Sequence, residues 1–133
     1  MTPHRHSLRL SRIIRADAAT LFRAWTDPEE LLRVGGRYRL GMTDPDGRKH
    51  FAVGLYREIR PPVRLVFTWD WEEPAIRVGD TVVTVEFKDA VGDRTEVVLT
   101  HERFTDPARM GRHQEGWTDL LNLLQRHVGG IRP

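Results

Sequence analysis

Two histidines are the polar side chains of this sequence with the clearest capacity for chemistry. His101 lies in the segment VVLTHERF, in phase with Val97 and Leu99, so its ring is expected on the apolar face of a strand. His113 comes one helical turn before Trp117 in RHQEGWTDLL. An imidazole in an apolar pocket can orient a polar ligand atom or act as a general acid or base. The alternative for both is a structural, hydrogen-bonded histidine.

The other clusters of polar side chains indicate chemistry more weakly. Asp70 and Glu72 alternate with Trp69 and Trp71, so the carboxylates are expected on the solvated face of their strand. The HRH sequence at residues 4–6 offers two metal-binding side chains but no third ligand. The chain contains no phosphate-binding glycine loop, no nucleophile elbow and no zinc-ligand spacing. We therefore expect no catalytic residue, no metal and no cofactor.

Length and composition limit the classes of protein that fit this chain. Its 133 residues suit one domain, residues 1–133, with a sizeable core. There is no cysteine, and no apolar run approaches the ~20 residues of a membrane span. The net charge of +2 is small, and the basic residues do not cluster with aromatic ones as they do in nucleic-acid-binding proteins. These features predict a cytoplasmic protein with no nucleic-acid partner and no membrane partner.

Helix and strand signals divide most of the chain into short elements. SLRLSRIIRA predicts a first strand, and Asp17 is a suitable cap for a helix over AATLFRAWT. A capping box from Thr26 to Glu29 predicts a second short helix in DPEELL. Turn signals then separate five strand-like segments, RYRLGMT, KHFAVGLYREI, RLVFTWDWE, TVVTVEFKDA and TEVVLTHERF. Their short connections favour antiparallel pairing.

A long helix is predicted at the C-terminal end, where Thr105, Asp106 and Pro107 introduce it. Residues at three- and four-residue spacing form its apolar face: Met110, His113, Trp117, Leu120, Leu121, Leu124 and Val128. Gly116 precedes Trp117 inside this helix, where glycine costs about 1 kcal/mol relative to alanine. We expect that the missing side chain lets the sheet, or a ligand between sheet and helix, approach the helix backbone.

One face of the predicted sheet supplies the apolar surface that the helix needs. Alternate positions of two strands share it: Leu65, Phe67, Trp69 and Trp71, and Val83, Val85 and Phe87. The predicted fold class is α+β. It is a curved antiparallel sheet of six or seven strands wrapped around a long C-terminal helix, with two short helices after the first strand.

A series of segments, in order along nearly the whole chain, resembles one known family. They are LFRAWTDPEELL, GGRYRLGM, VGLYREIRPPVRLVFTW, VVTVEF, TEVVLTH and HQEGWTDLLNLL. They are similar to homologues of the ATPase activator of the ninety-kilodalton heat-shock chaperone, in the SRPBCC superfamily with the START and birch-pollen-allergen folds. The resemblance implies a helix-grip fold, in which the final helix closes over a concave sheet and leaves an apolar cavity.

The resemblance makes the large side chains around this helix candidates for the wall of a ligand cavity. Ten residues are expected to form or border it: Tyr38, Met42, Phe67, Trp69, Trp71, Leu99, His101, His113, Trp117 and Leu121. The alternative for each of these side chains is an ordinary place in the hydrophobic core.

Binding of a small apolar ligand, without catalysis, is the predicted function. One alternative is a cyclase or hydratase of the same fold acting on an aromatic or polyketide substrate, which needs two or three polar groups converging in the cavity. Another is a protein-interaction domain in stress response, similar to the chaperone activator, which needs an exposed apolar patch and a filled interior. A homodimer is a further expectation compatible with the sequence.

The chain is shorter than the family pattern at one place. Relatives usually carry a further loop and strand of ~10 to 20 residues before the GGRYRL segment, whereas here EELLR runs directly into VGGRYRL. Either an edge strand is lost, which would open one end of the cavity, or a mobile segment near Arg33–Gly36 is missing from the 133 residues. The second is our expectation.

Overall fold

Six strands and two α-helices make up most of the protein. The computed structural model describes residues 6–26 and 34–129. The elements follow in this order: β1 His6–Ile14, α1 Ala18–Thr26, β2 Arg37–Thr43, β3 Lys49–Arg60, β4 Arg64–Trp71, β5 Thr81–Asp89, β6 Thr95–Phe104 and α2 Pro107–Leu124. A 3-10 turn at Pro74–Ile76 lies between β4 and β5, and a π-helical turn at Gln125–Gly129 continues α2.

All six strands form one antiparallel sheet in the order β1-β6-β5-β4-β3-β2. Strands β2 to β6 pair consecutively because their connections are short. The predicted α+β fold is confirmed, and α1 and the first residue of α2 lie where the capping residues indicated. The second predicted short helix, in residues 27–32, lies outside the described residues.

The extra segment expected before β2 is absent from the protein. In the full sequence of 133 residues, EELLR runs directly into VGGRYRL with no residues between them. The interpretation as a missing mobile segment is therefore wrong. Part of this stretch, residues 31–33, lies outside the described residues, so the distances between consecutive Cα atoms from Leu31 to Gly36 are not described. β2 is an edge strand of the sheet, and nearly all of its side chains are exposed.

The apolar face of the sheet forms the core together with α2. Six of the seven residues predicted for this face in β4 and β5 are fully or nearly fully buried, and Trp71 is partly buried: the six are Leu65, Phe67, Trp69, Val83, Val85 and Phe87. Trp117 and Leu121 pack against them from α2. Burying side chains of this size stabilises a fold by about 1.5–3 kcal/mol each. The position of α2 over the sheet is therefore set largely by apolar packing.

Hydrogen bonds fix both ends of α2. Asp106 caps its start and accepts a hydrogen bond of 2.9 Å from the backbone N–H of Ala108. Near the other end, the Arg12 guanidinium of β1 donates to the side-chain oxygens of Asn122 at 2.5 Å and Gln125 at 2.9 Å. The helix therefore spans the sheet between two anchored ends.

A glycine in β3 allows a side chain of β2 to reach β4. Tyr38 pairs with Gly54, and the Tyr38 hydroxyl donates a hydrogen bond to the backbone oxygen of Thr68. A Cβ atom at Gly54 would lie 2.0 Å from that oxygen and 2.6 Å from the Tyr38 hydroxyl. Glycine is therefore required there by close approach rather than by backbone conformation.

Gly116 has no such contact. It is exposed, and a Cβ atom built on it would meet no atom within 4 Å. The expectation that the sheet approaches the helix backbone at Gly116 is wrong. Open space lies beside this glycine, so the approach of a ligand there stays a prediction.

Candidate functional site

A wide apolar groove lies between α2 and the sheet. It has a volume of about 1070 Å³ and is bordered by the end of α1, the middle of β2 and the middle of β4. We call it the main groove. Its lining residues are Arg23, Ala24, Trp25, Leu40, Gly41, Met42, Phe67, Trp69, Trp117, Leu120, Leu123, Leu124 and His127.

A smaller pocket of about 460 Å³, the side pocket, continues the main groove toward the start of α2. The two spaces share five lining residues: Met42, Trp69, Trp117, Leu120 and Leu123. The side pocket adds Thr43, Trp71, Arg112, His113, Gly116 and Asp119. With a rise of 1.5 Å per residue, the lining of α2 extends about 20 Å along the helix. The two spaces therefore form one elongated cleft.

Tryptophan rings form much of the wall of this cleft. The Trp117 ring lies between those of Trp25, with centroids 6.4 Å apart and planes at 19°, and Trp69, with centroids 4.9 Å apart and planes at 55°. Trp71 packs edge-on against Trp69 at 5.5 Å. Such ring pairs add about 0.5–1.5 kcal/mol to their area burial. The wall is therefore both apolar and held in place by aromatic contacts.

His101 lies beneath the cleft and has both ring nitrogens occupied. Its side chain is fully buried. Nδ1 accepts a hydrogen bond of 2.9 Å from the indole N–H of Trp117, so the proton is on Nε2, which lies 2.9 Å from the hydroxyl oxygen of Thr81. The Thr81 hydroxyl in turn donates to the backbone oxygen of Trp69. This chain of bonds is complete with a neutral imidazole.

The surroundings of His101 hold it neutral. Burial, with a smaller contribution from the neighbouring His113, lowers the pKa of His101 from 6.5 to about 2. A general base needs a free lone pair and a pKa near the working pH. His101 has neither, and its geometry is that of the structural histidine considered from the sequence.

His113 belongs to a closed ring of hydrogen bonds at the start of α2. Its Nε2 accepts from the indole N–H of Trp71 at 3.0 Å, and its Nδ1 donates to the backbone oxygen of Arg109 at 2.8 Å. Arg109 donates to the backbone oxygen of Arg77 at 2.6 Å, and Arg77 to that of Trp71 at 3.3 Å. Burial lowers the pKa of His113 as well. The ring fastens α2 to the β4–β5 connection.

The structure brings six of the ten predicted site residues to the cleft: Met42, Phe67, Trp69, Trp71, His113 and Trp117. The other four do not line it. Leu99, His101 and Leu121 are buried in the core. The Tyr38 ring packs against the Phe67 ring, with centroids 5.6 Å apart, and its hydroxyl donates a hydrogen bond to the Thr68 backbone oxygen. Burial raises the pKa of Tyr38. These four side chains support the wall from behind.

Several lining residues were not predicted as site residues. Trp25 of α1 and Leu40 of β2 are the main ones from outside α2. Trp25 lies four residues after the buried Leu21, a spacing that places both on one helical face. That spacing could have identified Trp25. Leu40 is 47% exposed at the sheet edge, and only the packed fold brings it to the groove.

No cluster of three or more His, Cys, Asp or Glu side chains that could hold a metal ion occurs in residues 6–26 and 34–129. In the same ranges, no helix is both long and apolar enough to cross a membrane. His4 of the HRH sequence lies outside the described residues.

Comparison with known proteins gives a family and a fold. The family model for Activator of Hsp90 ATPase homolog 1-like protein matches residues 15–129. A search of the curated proteins finds no match.

Solved structures of bacterial proteins share the fold. An uncharacterised protein from Rhizobium leguminosarum has 25% identity and a TM-score of 0.76, with 92% of this chain and 93% of that chain covered. A protein from Chromobacterium violaceum has 23% identity and a TM-score of 0.81, with 92% and 96% covered. A protein of the same family from Silicibacter pomeroyi has 23% identity and a TM-score of 0.78, with the same coverage.

Proposed function

The chain belongs to the family of Activator of Hsp90 ATPase homolog 1-like proteins, and from this premise we propose that it binds a small apolar ligand in the cleft that the main groove and the side pocket form together. The observation that carries the proposal is the volume and lining of the cleft. Ligand sites in proteins have volumes of about 300–1,000 Å³ and are lined mostly by apolar and aromatic side chains. The main groove, at about 1070 Å³, has this size and character.

The anchoring of α2 supports a site that exists before the ligand arrives. Arg12 holds one end of the helix to β1, and the ring of bonds through His113 and Trp71 holds the other. A cleft between fixed elements loses little conformational entropy when a ligand enters. Binding therefore requires no large rearrangement of the fold.

Two features favour binding over the alternatives. A cyclase or hydratase was expected to use His101 and His113 as its polar groups, whereas both ring nitrogens of each are already engaged in hydrogen bonds. A protein-interaction domain was expected to have a filled interior without a cavity, whereas here a groove of about 1070 Å³ opens beside the packed part of α2. The exposed apolar side chains Leu40, Met42 and Leu123 belong to the border of that space.

Two glycines of α2 provide a test that leaves the core intact. Gly116 lines the side pocket, whereas Gly111 does not, and a Cβ atom at either would meet nothing within 4 Å. A leucine at Gly116 would project into the cleft, and a leucine at Gly111 would not. Leucine is also a better helix former than glycine, so both variants should fold.

The measurement is the affinity for Nile red, a neutral apolar dye, by fluorescence titration. We expect Gly116→Leu to bind the dye about 10-fold more weakly, a loss of about 1.4 kcal/mol, and Gly111→Leu to bind it like the original protein. Equal affinities of both variants would place the dye elsewhere, and no binding by the original protein would overturn the proposal.

A further inference from the structure

One buried hydrogen-bonding group of the cleft wall has no partner among the described residues. Three indoles from β4 and α2 line the cleft: Trp69, Trp71 and Trp117. The N–H of Trp71 donates to His113, and that of Trp117 donates to His101. The N–H of Trp69 is buried and has no hydrogen-bond partner among the described residues.

An unpaired donor in this position calls for an explanation. Most buried N–H groups in folded proteins have a partner, and an unpaired one lowers stability. The ring of Trp69 lines both the main groove and the side pocket, so it borders the cleft near its middle. The same side chain is 3% exposed, and aromatic neighbours hold it on several sides. The indole ring that carries this donor is therefore fixed in place beside the proposed ligand site.

We propose that the cleft is built for a flat aromatic ligand with a neutral carbonyl group, whose oxygen accepts the hydrogen bond that the indole N–H of Trp69 lacks. This inference rests on the proposed function and names the chemical class of the ligand. The aromatic part follows from the wall, in which four of the lining residues, Trp25, Phe67, Trp69 and Trp117, are aromatic and pack on one another.

The kind of acceptor follows from the neighbours of Trp69. A charged carboxylate would be costly, because the wall around this ring is apolar and the cleft's two arginines, Arg23 and Arg112, line different parts of it. A hydroxyl would bring a donor of its own, and the two acceptors whose rings pack against Trp69, His101 and His113, are already taken. A carbonyl oxygen accepts without donating, so it leaves no new group unpaired.

Access to the Trp69 nitrogen requires a side chain to move. The nitrogen is shielded from solvent. Met42 lines both the main groove and the side pocket with Trp69, and it is 36% exposed. Methionine is unbranched and adapts its shape easily. Displacement of Met42 by the ligand is therefore part of the proposal.

Three naphthalenes of similar shape test the acceptor: 2-acetylnaphthalene, 1-(2-naphthyl)ethanol and 2-ethylnaphthalene. Isothermal titration should give the ketone an affinity about 10-fold above that of the ethyl compound, with the alcohol between the two. The variant Trp69→Phe keeps an aromatic ring but removes the donor, and it should bring the three affinities within about 2-fold of one another. Tyr56→Phe, which removes a hydroxyl outside the cleft, should keep the preference for the ketone.

A measurement on the unaltered protein covers the case that Trp69→Phe does not fold. The side-chain N–H signals of the four tryptophans are followed by NMR in protein labelled with ¹⁵N. The ketone should shift the signal of Trp69 downfield, and the ethyl compound should not. Equal affinities for the ketone and the ethyl compound would overturn this inference and leave the proposed function standing. The same would follow if the ketone did not shift the Trp69 N–H signal downfield. No binding of any of the three by a protein that binds Nile red would also overturn this inference alone, whereas no binding of the dye or of any naphthalene would overturn both.

Discussion

The indole N–H of Trp117 in α2 donates a hydrogen bond of 2.9 Å to Nδ1 of His101 in β6. Both side chains are buried, so this bond joins helix and sheet within the core. It fixes the tautomer of the imidazole, because Nδ1 is the acceptor and the proton must sit on Nε2. The same bond turns the Trp117 ring into a fixed part of the cleft wall.

Replacing His101 with leucine should destabilise the protein and leave ligand binding largely intact. The change leaves the buried N–H of Trp117 without an acceptor, and the Thr81 oxygen loses the hydrogen bond it accepts from His101 while its own bond to the Trp69 backbone remains. The expected loss in the free energy of unfolding is about 1 to 3 kcal/mol. Urea denaturation measures the loss, and Nile red titration of the folded variant measures binding. A stable variant that no longer binds the dye would instead place His101 in the ligand site.

Stability should fall as the pH drops below about 6.5, the usual pKa of histidine. The unfolded chain binds a proton at His101 near that pH, whereas the folded protein resists protonation until the pH approaches about 2. The unfolded state then holds more protons, so this contribution to stability is intact above pH 6.5 and decreases toward pH 2.

As the pH falls, the decrease in the free energy of unfolding due to His101 should approach about 1.4 kcal/mol per pH unit. Denaturation curves between pH 6.5 and 4.5 give the slope. His101→Gln removes the titrating group and should flatten the slope by up to that amount. The same slope in both proteins would contradict the neutral state that the hydrogen bonds require.

His50 should titrate in the opposite direction. Its Nε2 lies 2.8 Å from Asp44 and its Nδ1 lies 3.3 Å from Glu73. The hydrogen bond with Asp44 is the largest cause that raises the pKa of His50, and Glu73 contributes less. Because the folded pKa is raised, the stability that these pairs contribute is present below pH 6.5 and is lost as the pH rises through the raised pKa.

An NMR titration of the His50 ring checks this assignment. We expect a midpoint above 6.5, lowered by Asp44→Asn and lowered less by Glu73→Gln. The asparagine variant retains an oxygen for the backbone N–H groups of Asp46 and Arg48, so the turn that follows β2 should persist. A midpoint at or below 6.5 in the original protein would show that Asp44 and Glu73 do not stabilise the protonated His50 ring.

The sequence was sufficient to predict the elements because local signals agree with the final packing. Asp106 and Pro107 mark the start of α2, and the alternation of Leu65, Phe67 and Trp69 identifies the buried face of β4. These patterns depend on neighbours close in sequence. The same kind of pattern predicted Trp69 and Trp117 as wall residues of the cleft.

The remainder of the site depends on contacts between distant segments. Whether His101 is engaged is decided by Thr81, from the adjacent strand, and by Trp117, from a helix that follows a turn. The spacing of residues in the sequence does not indicate that Thr81 and Trp117 both bind the imidazole of His101. Gly116 is exposed because of the way α2 lies on the sheet, and the helical periodicity of apolar residues does not specify that orientation.

Replacing Gly54 with alanine should be among the more damaging small changes in the sheet. The added carbon would lie 2.0 Å from the backbone oxygen of Thr68 and close to the hydroxyl of Tyr38, so β3 must shift away from β4. Overpacking of this kind costs about 1–3 kcal/mol. Gly41 in the edge strand β2 is the matched control, because its added carbon would meet only side chains, the Phe51 ring at 3.1 Å and the Lys49 chain at 3.6 Å, and no backbone atom within 4 Å. Urea denaturation should show a loss of less than about 1 kcal/mol for Gly41→Ala. If the two variants were equally stable, the close approach at Gly54 would not be what requires glycine there.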